Sequence, residues 1–479
     1  MTDPLAWLIL LPLLWASAAF LAGPGRGARL AIAALALQLV LAMLAASAAL
    51  DGSRVHAAGG WAAPLGIELA ADGLAATMLL LTQAVVLPLA VYARAWFAMH
   101  PEGSQGFWPL AGFLIAAMNA LFLSADIFNL YVTLELLGLA AVGLVASSGG
   151  APALAAALRY LFVSLAASGA YLLGVALVYG AYGTVSLRTL APLVAGGPAD
   201  AAVLGAGLMA AGLLFKTALF PFHGWLPPAH GGAPAPVSAL LSALVIKATF
   251  YLLLRLWTGA GAPLAAPPAA LVLGLLGAAA IGWGSVMALR QERLKMLVAY
   301  STVAQVGYLF LVFPLMDRAD PGTVSAASNA VVLQAVAHGL AKAAMFAAAG
   351  AVAISAGHDV VARLGGLAAQ RPVTLFAFGL AGVTLMGLPP SAGFLSKWLL
   401  MESALAAGWW EVAVVILAGG LLTAAYVFRV LRHAFGHAAH GVAYLPLPRT
   451  LEWPALVLAL ASIVLGMQPA LLLELAGGR

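Results

Sequence analysis

Fourteen apolar runs, each long enough to cross a bilayer as a helix, follow one another along the chain with little left over between them. A hydrocarbon core of about 30 Å needs about 20 helical residues. Backbone groups in lipid must be satisfied internally, so runs of this length imply helices and an all-α polytopic membrane fold. Only 8% of the side chains are charged and 64% are hydrophobic, which excludes a set of soluble domains of ordinary composition. Zero cysteines exclude disulfides, iron–sulfur clusters and thiolate ligation of zinc or haem. The formal charge of +5 is no nucleic-acid signal, because the basic residues are scattered singly between apolar runs. The first run follows Asp3 without a basic leader and reads as a retained helix.

Loops and helix ends on one side of the bilayer carry twelve Arg and Lys residues and the other side five, so both termini are expected outside a cell inner (plasma) membrane. The four remaining basic residues are Lys216, Lys247, Lys342 and Lys397, all inside apolar runs, as is Glu135. An ionised residue at a helix centre opposes insertion by about 2.5–3.5 kcal/mol, so the five together oppose it by roughly 12–17 kcal/mol unless they face a wet or paired interior. Such an expense argues for a job. Desolvation disfavours a charged amine and brings its proton exchange toward the physiological range, so a row of buried amines suits proton movement across the membrane.

Two runs break their own helical logic. In LLFKTALFPFHGWLPPAHGG, Pro221 lacks an amide hydrogen and its ring opposes the carbonyl of Thr217, so the helix should unwind beside Lys216. In LMGLPPSAGFLSKWLL, Pro389 and Pro390 do the same ahead of Lys397. A pair of interrupted helices in corresponding places of two halves marks an inverted-repeat transporter. The order of features places three helices in residues 1–106, a first five-helix repeat in 107–260, a second in 261–440 and a final helix in 441–479.

Lys247 lies deep in its run, where snorkelling to an interface is strained; Lys216 and Lys397 are nearer run ends and have that alternative. Glu135 needs a cation from another helix, and Lys216 is the best candidate. Gln334, His338 and Lys342 follow at i, i+4 and i+8 and form one polar stripe, with histidine suited to a proton relay. His223 and His230 lie between the first two lysines as secondary polar groups. No second His or carboxylate stands at metal-ligand spacing, so no metal is expected. His433, His437 and His440 read as surface residues, and Asp72 and Asp126 as helix caps.

The stretches DIFNLYVTLELL, KTALFPFHGWLPPAH, APAPVSALLSALVIK, RLKMLVAYSTVAQVGY, AVAHGLAKAAMF and GLPPSAGFLSKW resemble the proton-translocating antiporter-like subunits of respiratory complex I, membrane-bound hydrogenases and Mrp-type cation/proton antiporters. The resemblance implies a mid-membrane transport axis carried by Glu135, Lys216, Lys247, His338 and Lys397. It also implies other membrane subunits as partners, protons and Na⁺ as transported ions, and no cofactor in this chain. FNLYVTLEL and the terminal lysine look most like the D-type antiporter subunit. A proton-pumping subunit of an oxidoreductase and the membrane subunit of an inorganic-carbon uptake complex are the alternatives. Thr249 stands where the family usually has a glycine, two residues after the central lysine.

Overall fold

Glycine and proline decide where the apolar runs become separate helices. The computed structural model describes residues 4–63, 65–265, 268–317, 320–437 and 443–477. The first two expected spans are one helical element, α1 (Pro4–Leu50), broken at Gly23 with φ 76° and ψ 170° ahead of Pro24. Its two arms fold back on each other, and Gln38 Nε2 donates to Leu8 O across them at 3.1 Å. Then come α2 (Gly73–Met99), α3 (Ser104–Leu123), α4 (Ile127–Ala146), α5 (Ala151–Tyr182) and the short α6 (Leu187–Ala195). The helix α7 (Asp200–Lys216) stops at its lysine, and the chain resumes as a single 3₁₀ turn and α8 (Leu226–Gly232).

Beyond them lie α9 (Ala235–Thr258), α10 (Ala269–Arg290), α11 (Leu294–Met316) and α12 (Pro321–Ala356). The second interrupted span is α13 (Pro372–Met386) followed by α14 (Ala392–Ala406). The chain continues with α15 (Trp410–Phe435), α16 (Arg449–Met467) and α17 (Ala470–Gly477). Eleven described helices are long and apolar enough to cross a membrane. Counting the two arms of α1 separately and adding the two interrupted spans recovers the fourteen expected.

Carboxylates and a serine start several of these helices. Asp72 accepts from Ala75 N, Asp126 from Phe128 N and Asn129 N, and Asp320 from Gly322 N and Thr323 N, so each satisfies amide donors that the first turn leaves free. Ser391 caps α14 through Phe394 N. Asp72 does more than cap: its other oxygen pairs with Arg255 at 2.7 Å and ties the end of α9 to the start of α2.

Among the described residues a short hairpin stands apart from the helices. Strands β1 (Arg54–Ala57) and β2 (Glu68–Ala71) form an antiparallel hairpin with Arg54 opposite Ala71 and Ala57 opposite Glu68. Glu68, buried at the hairpin's edge, pairs with Arg188 of α6 at 2.7 Å. The hairpin therefore clamps a surface helix of the neighbouring bundle.

At the centre stands α12, whose 36 residues extend about 54 Å at 1.5 Å per residue. It packs against α2, α9, α11, α13, α14 and α16, and from Ala330 to Val352 every residue is buried. Buried on every face over that stretch, it is a core helix and not a lipid-facing one. Its one polar stripe is consequently sealed from lipid.

Candidate functional site

The first charged site forms where α7 ends. Lys216 Nζ donates to Ser164 Oγ of α5 at 2.8 Å and to Leu134 O at 3.4 Å, and lies 3.7 Å from Glu135 Oε1 of α4. The two charges expected to meet are thus brought together, with side chains 5% and 18% exposed. Gly138, one helical turn beyond Glu135, leaves the room: a Cβ there would come within 2.6 Å of Ser164 Oγ and 3.3 Å of Lys216 Nζ. Directly after the lysine the backbone leaves the helix through Ala218, a buried non-glycine residue at φ 55°. Left-handed backbone of this kind disfavours an L-residue by roughly 1–2 kcal/mol and persists only where surrounding packing dictates it. The unwinding expected beside Pro221 is present, and the Phe215 carbonyl accepts from both the Ala218 amide at 3.1 Å and Trp225 Nε1 at 3.0 Å.

Lys247 sits inside α9, 1% exposed. Just before it, residues Leu241–Val245 form a π turn, which frees a carbonyl from the regular ladder, and Lys247 Nζ donates to Ser242 O. Ser242 Oγ in turn bonds Thr302 Oγ1 of α11 at 2.9 Å. Thr249 joins Thr217 at 3.1 Å and so links the Lys247 helix to the break beside Lys216.

From α12 the polar stripe reaches α11 and α14. Lys342 Nζ donates to Val298 O at 3.0 Å and to Ser301 Oγ. His338, 1% exposed, has neither ring nitrogen hydrogen-bonded among the described residues and lies within electrostatic range of Lys247, Lys342 and Lys397. Gln334 bonds Gln305 at 3.3 Å and accepts from Ser396 at 2.6 Å. Gln305 donates to Leu385 O at 3.1 Å, and the same carbonyl accepts from Lys397 Nζ at 2.6 Å. A continuous polar chain therefore runs from the α12 stripe to the last lysine. Lys397 turns inward onto the end of α13, with Met386 O at 3.4 Å, and does not reach for the surface.

Pro389 and Pro390 lie exposed between α13 and α14, after Gly387 ends α13 at φ 81°. His230 is buried against Phe346, whereas His223 sits half-buried at the periphery, accepting from Trp283 Nε1 at 3.0 Å. His433 is half-buried and His437 exposed; His440 lies outside the described residues. Among the described residues no three His, Asp or Glu side chains gather as a metal site. Ser164, Ser242, Thr302, Ser301, Gln305 and Ser396 join the site without any signal of their own in the sequence. Small polar residues are common in membrane helices, and nothing in their spacing marks a partner on another helix.

A bundle of long apolar helices with two interrupted spans and a sealed line of lysines defines a polytopic membrane transport subunit. The family described as NADH:quinone oxidoreductase/Mrp antiporter, TM, matches residues 124–423, and the chain belongs to it. NADH-quinone oxidoreductase subunit N of Desulforudis audaxviator is 38% identical over 85% of this chain and 83% of its own length. The D-type Na(+)/H(+) antiporter subunit of Alkalihalophilus pseudofirmus is 30% identical over 84% of this chain and 80% of its own. In solved structures, a chain of the Mrp complex from Dietzia sp. matches with a TM-score of 0.89 and 27% identity, covering 99% of this chain and 96% of that one. The protein is an antiporter-like, proton-conducting membrane subunit of the kind found in Mrp and complex I-like assemblies. Both D-type and N-type subunits are relatives, and of these two the N-type has the higher identity.

Proposed function

We propose that this chain conducts protons along a mid-membrane line within a larger plasma-membrane complex. A proton enters at Lys216, whose hold on it Glu135 modulates, passes through Lys247 and the stripe of Lys342, His338 and Gln334, and leaves by Lys397. The observation that carries this reading is the chain of contacts from the α12 stripe through Gln305 and Leu385 O to Lys397. Moving one charge changes how firmly the next site holds its own, so neighbouring sites fire in order. His338, with neither ring nitrogen hydrogen-bonded among the described residues, is suited to accept and pass on a proton without leaving its place.

The five-helix repeats at 107–260 and 261–440 are part of this proposal. Two matching docks support them: Tyr251 Oη of α9 donates to Phe122 O of α3 at 2.7 Å, and Arg429 of α15 donates to Leu289 O of α10. The basic-residue bias supports a topology with both termini outside. Exchange of protons for Na⁺ beside other antiporter subunits is the coupling we assign. The higher identity to an N-type subunit favours a second reading, a proton-pumping arm of a complex I-like oxidoreductase.

Lys247 tests the axis. Lys247→Met keeps volume, deletes the proton site and removes an insertion cost of about 2.5–3.5 kcal/mol, so the variant should be at least as abundant as the parent. Proton-coupled transport in vesicles holding the whole complex should fall close to background. Lys247→Arg, which cannot release its proton, should be equally inactive. Substantial activity in the Arg variant would make Lys247 a fixed charge and end the relay.

A further inference from the structure

Lys397 lacks the kind of partner that Lys216 has. Among the described residues no Asp or Glu oxygen lies within 4 Å of its amine. Instead, Lys397 Nζ stands over the ring of Tyr308, 4.1 Å from its centroid. An ammonium within about 6 Å of a ring centroid is attracted by the negative face of the π system, more strongly where water is excluded. Here Tyr308 is 0% exposed and Lys397 7%.

Neighbours on two other helices hold the pair in place. Tyr308 on α11 fits beside Gly419 of α15, where a Cβ would overlap the phenol hydroxyl. The lysine stem crosses Gly387, where a Cβ would come within 2.8 Å of Lys397 Cδ. Gln305, one turn before Tyr308, shares the Leu385 carbonyl with the amine. The ring is thus seated independently of the lysine that uses it.

We propose that Tyr308 is the counter-group of Lys397, its ring face setting how strongly this lysine holds a proton. The proposal rests on the proton-transfer reading above. A carboxylate left behind by a departing proton becomes an unpaired buried anion, whereas a ring carries no net charge and is left as it was. The terminal lysine can therefore lose its proton without stranding a charge beside it, which suits a site of release. In this arrangement Tyr308 is a positioning residue that takes no proton itself.

The test uses the whole complex in proteoliposomes and compares Tyr308→Phe, Tyr308→Leu, Lys397→Met and a series with phenylalanines of increasing ring fluorination at position 308. Fluorine drains the ring face with little change of shape. Phe should transport within about twofold of the parent, Leu should fall about tenfold, and the fluorinated series should decline stepwise at constant protein amount. Equal rates across the fluorinated series would overturn the proposal even if the Leu variant fails to assemble, as would Leu matching Phe. With Lys397→Met inactive, those results would leave the axis standing and reduce Tyr308 to packing. Full transport in Lys397→Met would instead remove the reading on which the proposal rests.

Discussion

The two interrupted spans carry their lysines on opposite sides of the break. Lys216 belongs to the last turn of the half-helix before its break, so its amine starts at the carbonyl end of α7. Lys397 lies in the half-helix after its break and reaches back to Leu385 O and Met386 O, the carbonyl end of α13. The Lys397 ammonium therefore occupies the negative pole of α13, where a cation is favoured by roughly 0.3–1 kcal/mol and more when partly buried, whereas the Lys216 amine leaves its own helix end for α4 and α5. What differs is the company. The first has a carboxylate and a serine around it; the second has backbone and an aromatic ring.

The sharpest way to break this comparison is through the acid. Glu135→Gln or Lys216→Met alone leaves a buried charge unmatched and should destabilise the protein by about 3–5 kcal/mol in a dry site, with the double variant losing less than the sum. Lys397→Met strands no carboxylate and should destabilise far less. Thermal unfolding in detergent measures all four, and strictly additive losses for the first pair would mean that the two residues do not act on each other.

A smaller effect is expected from the breaks themselves. Pro221→Ala and Pro389→Ala restore an amide donor and with it a pull toward continuous helix, and should lower transport severalfold at normal abundance. Parental rates in both would show that the unwound backbone serves packing only. The smallest effect belongs to the link between the first break and the central helix. Thr249→Val removes the hydroxyl bonded to Thr217 and should reduce stability by about 0.5–1.5 kcal/mol, with no consequence at the Lys397 end. A selective loss of release at that far end would show that the Thr217–Thr249 link reaches beyond the first break.

The spans, the two interruptions and the buried charges are legible in the sequence because each is a local signal: run length, a missing amide hydrogen, an ion among apolar residues. Even the Glu135–Lys216 meeting can be argued, since each ion needs an opposite one. The hairpin at Arg54–Ala71 is not legible, because its strands are four residues each and carry no turn signature strong enough to outweigh their short length. Ser164, Gln305 and Tyr308 are hidden for another reason. Their roles arise from which helix lies opposite, and period and spacing along one helix do not encode its neighbour. The D-type likeness read from FNLYVTLEL and a terminal lysine rests on short stretches; over most of the chain the identity is 38% to the N-type relative and 30% to the D-type one.

The π turn at Leu241–Val245 has a consequence for how this region can vary. A π turn accommodates one residue more than the α-helical ladder, and one residue corresponds to about 100° of rotation about the helix axis. Lys247 therefore faces the direction it does because of a length, as much as because of its identity. Losing any single residue from that turn would swing the amine about a quarter-turn away while leaving the charge, the hydropathy and every neighbouring side chain type intact. Substitutions in this stretch are gentle by comparison; its residue count is the protected quantity.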